Sequence, residues 1–188
     1  MKVYDAIGAE YREWRSPDIG VADISDLVEQ YRVRSVLDLG CGNGFPIAEA
    51  IAPMVDSYVG VDSSSVLLDE FITNLPMARA VHSPIESLDL DGQQFDLVFS
   101  FGCMFHLTPE AQTDALRIAA FALKPGGILT FNSGIDDGYT TGKVGDHILD
   151  HWSLGETAYI KLLTDSGLRY QGSHMGQGQN LFFRFNKT

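Results

Sequence analysis

The apolar residues of this chain come in short bursts. "SVLDL" (35–39), "SYVGV" (57–61), "FDLVFS" (95–100) and "GILTFN" (127–132) are rich in Val, Leu, Ile and Phe and are bounded by Gly, Asp or Ser. Runs that are apolar throughout, rather than at alternate positions, suit strands covered on both faces. Between them the spacing changes to that of helices. Leu68, Phe71, Ile72 and Leu75 fall at i, i+3, i+4 and i+7 after Ser63–Ser65, whose hydroxyls can cap. Leu116, Ala119, Ala120 and Leu123 repeat that spacing after Thr108, a predicted N-cap, with Pro109 at the first helical position. A helix pair is predicted at the N-terminus, with Val21, Ile24, Val28 and Tyr31 on one face of its second member. Strands and helices that alternate in this way predict a mostly parallel sheet with helices on both faces, an α/β fold. The end of the chain departs from the pattern. There "LRYQGSH" and "NLFFRF" flank "MGQGQ", two predicted strands and a hairpin loop that add an antiparallel edge.

Composition narrows the partners. The 188 residues carry 13 Lys and Arg against 25 Asp and Glu, a formal net charge of −12. Proteins that grip phosphate backbones usually present a basic face, so no nucleic-acid partner is expected. The two cysteines, Cys41 and Cys103, show neither metal-ligand spacing nor a disulfide framework and read as buried free thiols. "MKVYDAIGAEYREW" has charges throughout and no apolar core of the signal-peptide kind, and no run approaches the ~18 residues needed to span a bilayer. A cytoplasmic location without a membrane partner is expected.

The chemistry gathers at "VLDLGCGNGF" (36–45), where Gly40, Gly42 and Gly44 follow the first strand. Glycines this dense mark a tight turn or a ligand lying against backbone, and in doubly wound sheets ligands sit beyond the carboxyl ends of the strands. The dinucleotide fingerprint GxGxxG is not met, because Phe45 stands at its last glycine. Asp38, at the end of the strand, suits a ligand with a cationic part better than a pyrophosphate. With those residues in place, the stretch resembles the first motif of the class I S-adenosylmethionine-dependent methyltransferases. Three further stretches resemble that family in order. "YVGVDSSS" ends a second strand at Asp62, "FDLVFSFGCMFHLTPE" is similar to the fourth strand and its loop, and "LKPGGIL" is similar to the turn into the fifth, with Pro125 expected to stop the preceding helix and Gly126–Gly127 to turn the chain. The likeness runs over residues 33–134.

The resemblance implies a doubly wound, Rossmann-like, mostly parallel sheet of seven strands with helices on both faces and a C-terminal antiparallel hairpin. It implies one domain over 1–188: an N-terminal helical lid (1–32), a cofactor-binding core (33–134), and a substrate-side segment with the closing hairpin (135–188). It implies S-adenosylmethionine as cofactor, held by Asp38, Gly40, Gly42, Gly44, Asp62, Ser63 and the carbonyl of Phe101, with Asp62 accepting from ribose hydroxyls. Many members have an Asp after the third strand to meet the adenine. Here "VHSPIESLDL" offers Ser83, the backbone of Ile85, or Glu86 instead.

The implied reaction is methyl transfer to an O, N, S or C nucleophile, with a small-molecule acceptor expected from the acidic charge. The cofactor carries the reactivity, so a dedicated catalytic residue is not obligatory. If a base is used, His106 in "MFHL" and His151 are the candidates. His147 and His151 in "GDHILDHW" lie four apart, a helical metal spacing, but no third ligand is evident, and Gly142 and Gly145 count against a helix there. No metal is expected. His82 and His174 read as structural residues of strands. Tyr4, Tyr11 and Trp14 on the lid are placed to cover a sulfonium. Residues 134–153 are long for a plain connection and are expected to form an irregular acceptor-side wall with Tyr139, His151 and Trp152. A non-catalytic cofactor-binding module and an NAD(P)-dependent oxidoreductase are the alternative readings.

Overall fold

A computed structural model describes residues 2–144 and 146–188. After a short helix α1 (Lys2–Ile7) and a 3-10 stretch (Gly8–Arg12) come α2 (Val21–Tyr31), β1 (Ser35–Leu39), α3 (Ile47–Ile51), β2 (Ser57–Asp62), α4 (Ser65–Asn74), β3 (Arg79–His82), β4 (Phe95–Ser100), α5 (Pro109–Phe121) and β5 (Leu123–Asn132). The chain closes with β6 (Asp137–Val144), β7 (His147–Leu154), α6 (Glu156–Asp165), β8 (Leu168–Met175) and β9 (Leu181–Lys187). Seven strands form one sheet in the order β3-β2-β1-β4-β5-β9-β8. The first five pair in parallel, and β9 lies antiparallel between β5 and β8. The mostly parallel sheet with its closing β8–β9 hairpin is therefore as the sequence implies.

The apolar strands bury both faces by alternation. Leu37, Leu39, Val59, Val61, Val98, Leu129 and Phe131 pack with α5 and α6, while Val36, Tyr58, Leu97, Phe99 and Ile128 pack with α2, α3 and α4. Ser64 caps α4 and Thr108 caps α5, each hydroxyl accepting from a backbone N–H three residues on. Two expected core residues face outward. Ile72 is 54% exposed because the buried arc of α4, Leu67, Leu68 and Phe71, is centred on Phe71, about 100° away round the helix. Tyr31, 41% exposed, stands at the last position of α2.

Two connections differ from expectation. Helix α5 ends at Phe121, so Pro125 does not stop it. Pro125 and Gly126 lie instead in an irregularity of β5, where pairing jumps from Phe95–Leu123 to Leu97–Ile128 and Gly126 takes a φ of +77°. Residues 137–154, expected to be irregular, form a second, two-stranded antiparallel sheet, β6–β7, in unbroken register from Asp137–Leu154 to Val144–His147. "HILDHW" is strand, so His147 and His151 share a face about 13 Å apart along it rather than adjoining on a helix. Gly145, weighed against a helix there, lies outside the described residues. No described helix is long and apolar enough to cross a membrane.

Candidate active site

The turn after β1 is built from left-handed backbone. Gly40, Gly42 and Gly44 have φ of +85°, +55° and +86°, which side-chain-bearing residues rarely adopt. A Cβ on Gly40 would strike the Cys103 side chain, and one on Gly42 would stand 3.2 Å from the Tyr11 ring. Asn43, fully buried, holds the turn by accepting from the Phe45 N–H at 3.2 Å and donating to Glu70 at 2.9 Å. Asp62, at the end of β2, accepts from the Gly42 N–H at 2.8 Å and the Ser64 N–H at 2.9 Å. Burial pushes its carboxyl up from the ordinary value, and those backbone donors oppose the rise.

These residues border a cavity of about 250 Å³ in front of the glycine turn. Tyr4, Tyr11, Gly40, Gly42, Asp62, Ser63, Ile85 and His106, all singled out in the sequence, line it together, as does Glu86. One Glu86 carboxylate oxygen is buried there without a hydrogen-bond partner. Tyr4 and Tyr11 form the roof, their rings edge to face at 6.0 Å. Burial holds the Tyr11 hydroxyl at about 12 and raises that of Tyr4 as well.

Four expected cofactor residues stand elsewhere. Asp38, Gly44 and Phe101 border a narrow crevice behind the turn, and the Phe101 ring is stacked on Phe182 at 5.7 Å. The Asp38 carboxylate accepts from the Tyr58 hydroxyl at 2.8 Å, and burial pushes it up to about 7. Ser83 does not line the cavity, and its hydroxyl donates to the Pro84 carbonyl at 2.9 Å. Trp14 likewise does not line it. Sequence reasoning missed Arg15, which borders the crevice and spreads its guanidinium 4.7 Å from the Tyr11 ring centre. An isolated Arg in "EWRSPD" carries no motif that would have singled it out.

The cavity meets the β6–β7 sheet at His106. Its Nδ1 lies 3.4 Å from the Asp150 carbonyl, which can only accept, so the neutral ring carries its proton there. Nε2 is then the acceptor for the Tyr4 hydroxyl at 2.9 Å. Burial, with help from His151, lowers the imidazole to about 4, so it is neutral at pH 7. The His151 ring lies 4.8 Å from both His106 and Phe105. Beyond it a cleft of about 620 Å³ opens, lined by Phe105, His151, Trp152 and Tyr139, the last two rings 4.4 Å apart.

A family model described as "Methyltransferase domain" matches residues 36–127, from the first strand through the turn in β5. The match spans just under half of the chain and takes in the glycine turn, Asp62 and the turn in β5, the stretches that resemble the class I S-adenosylmethionine-dependent methyltransferases. Among methyltransferases of known structure, the chain superposes on SAM-bound CalS10, an amino pentose methyltransferase from Micromonospora echinaspora, with a TM-score of 0.79 over 100% of this chain and 98% of that one, at 18% identity. On Streptomyces venezuelae DesVI the TM-score is 0.74 at 19% identity, with the same coverage. At such identities the likeness concerns the fold.

Curated methyltransferase relatives are nearer in sequence. A tRNA U34 carboxymethyltransferase of Pseudomonas aeruginosa is 34% identical over 141 residues, 72% of this chain and 42% of that protein. The one of Azotobacter vinelandii is 32% identical over 112 residues, 57% and 34% of the two chains. The chain thus spans about two fifths or less of these relatives. Their names overturn the expectation of a small-molecule acceptor without nucleic acid. That expectation rested on the total charge, and a sum of −12 says nothing of where the 13 cations stand.

Proposed function

We propose that the chain binds S-adenosylmethionine in the cavity beneath Tyr4 and Tyr11 and transfers its one-carbon unit to a tRNA nucleotide, the acceptor that its curated relatives are named for. One observation carries this reading: a cleft walled by Phe105, His151, Tyr139 and Trp152 lies beside the cavity, across the contact between His106 and His151. Bases stack readily on aromatic walls of this kind.

The residues fit the cofactor. An ionised carboxylate offers about four lone-pair sites, and backbone donors occupy two of those on Asp62, which leaves two for ribose hydroxyls. Glu86 lines the same cavity and has one buried oxygen without a partner, an acceptor for an amino group once the side chain turns. When bound, S-adenosylmethionine supplies an electrophilic carbon on a sulfonium. The protein's share is position and proton management. His106, neutral and with Nε2 turned to Tyr4, takes up the proton that the acceptor's nucleophile gives up once Tyr4 yields its place. The lid (1–32), the core (33–134) and the remaining segment (135–188) act as one unit in this scheme.

The test is to incubate the full chain with unmodified tRNA and S-adenosylmethionine and to weigh the released nucleosides. A nucleoside heavier by the transferred unit is expected. Asp62→Ala should sharply reduce the gain at limiting cofactor by weakening S-adenosylmethionine binding about 1.5–3 kcal/mol, the worth of hydrogen bonds to a charged group. Cofactor binding with every tRNA nucleoside unchanged in mass would overturn the acceptor.

A further inference from the structure

A chamber of about 300 Å³ lies on the other side of Tyr4 and Tyr11 from the cofactor cavity, between the lid and the end of β6. Trp14, Arg15, Lys143 and Val144 complete its walls. Two cations therefore face one void. The ion pairs of the described residues involve neither: Arg12, Arg34, Arg117, Lys124, Lys161 and His174 pair with carboxylates elsewhere. Arg15 also feels the Asp38 carboxylate across the crevice, but Lys143 has no described carboxylate partner, and two cations at one chamber make it attractive to an anion. Apart from Val144 the rest of the wall is aromatic: Tyr11 is buried, Tyr4 half-buried and Trp14 41% exposed. Cations beside an exposed aromatic such as Trp14 suit single-stranded nucleic acid, whose phosphates meet the charges while a base stacks.

We infer that this chamber is an anion subsite that takes a backbone phosphate of the acceptor next to the nucleotide being modified. The inference rests on the tRNA reading above and deepens it. A carboxylate on the cofactor offers the same chemistry, and Arg15 also borders the crevice by Asp38 where such a group would arrive. Lys143 borders the chamber alone, so it separates the two sources.

The probe is an unmodified anticodon stem-loop RNA, titrated onto the full chain with S-adenosylhomocysteine present, over a series of KCl concentrations. Lys143→Gln should weaken binding several-fold and flatten the log Kd against log [KCl] slope by about 0.7, the share of one phosphate contact on a single strand. S-adenosylhomocysteine affinity should not change in that variant, and Lys143→Arg should restore the slope. Arg15→Gln should flatten the slope further. Wild-type RNA affinity and slope in both Gln variants would overturn the subsite and leave the tRNA reading standing. Loss of S-adenosylhomocysteine affinity in Arg15→Gln, with RNA binding intact in both, would assign the cations to the cofactor and overturn it too. Failure of the wild-type chain to hold the RNA at low salt would sink the subsite together with the tRNA reading.

Discussion

The molecule has two antiparallel hairpins, alike in their ladders and opposite in their surroundings. In β8–β9, Phe182, Phe183 and Phe185 are buried in the two cores, and β9 is paired on both edges. In β6–β7 only Leu149 and Ser153 are buried, while Tyr139 and Ile148 are 54% and 65% exposed. A two-stranded sheet on its own is marginal in water. This one is held at its base and its side. At the base, the buried Tyr159 hydroxyl donates to Gln112 at 2.8 Å and accepts from the Leu154 N–H at 3.1 Å, and Gln112 donates in turn to the Trp152 carbonyl. At the side stand the Asp150–His106 bond and the Phe105–His151 contact. Backbone pairing is common to both hairpins, so the difference in their stability lies in faces and anchors.

The largest test of that contrast is to remove one apolar side chain from each. Phe185→Ala should cost about 3–5 kcal/mol in urea unfolding, the range for a deleted core aromatic, whereas Ile148→Ala should stay within about 0.5 kcal/mol. Equal losses would show that β6–β7 carries core weight. Next comes Tyr159→Phe. It leaves Gln112 and the Leu154 N–H short of a partner, for a loss of about 1–3 kcal/mol, and amide exchange should speed up in β7 before β9.

A pH series gives a smaller effect. The folded chain holds His106 at about 4, below the ordinary 6.5, so its contribution is present above 6.5 and is lost as pH falls toward 4. Asp38, held at about 7 against 3.8, acts in the opposite sense: it is harmless below 3.8 and costs stability as pH rises to 7. The two offset each other in the wild type. Thermal unfolding of His106→Gln should therefore show stability falling more clearly with rising pH from 4 to 7, and Asp38→Asn should show it rising. Parallel profiles for both variants and the wild type would refute the opposition. The smallest structural change is Trp152→Ala, expected to leave S-adenosylhomocysteine affinity unchanged and stability within about 0.5 kcal/mol while lowering turnover on tRNA. Unchanged turnover would remove the cleft from the acceptor path.

The same contrast explains what could be read in the sequence. Four of the parallel strands, β1, β2, β4 and β5, were legible as apolar runs because their faces are covered, whereas β3, "RAVH" at the sheet edge, is half exposed and gave no such run; the turn at Gly40–Gly44 was legible because its φ values admit little else. The β6–β7 sheet was hidden by its own packing. Gly142 looks like a breaker, yet the His151 ring lies over it where a Cβ would stand. The two histidines that suggested a helix are spaced along a strand. Arg15, Lys143 and Trp14 meet only in space, across more than 120 positions, and no local pattern announces such a meeting. Charge misled for a related reason, since a total has no address.

The bond from Tyr4 to His106 joins residues 102 positions apart and ties the roof of the cavity to its far wall. A hydrogen bond of this sort contributes about 1 kcal/mol, a factor of about five in an equilibrium. The roof is therefore a door with a light latch. A molecule that passes between the roof and that wall must break it, so the dwell time of spent cofactor is tuned in part by one hydroxyl. Tyr4→Phe would then trade tighter retention for quicker exchange, a change in tempo rather than in chemistry.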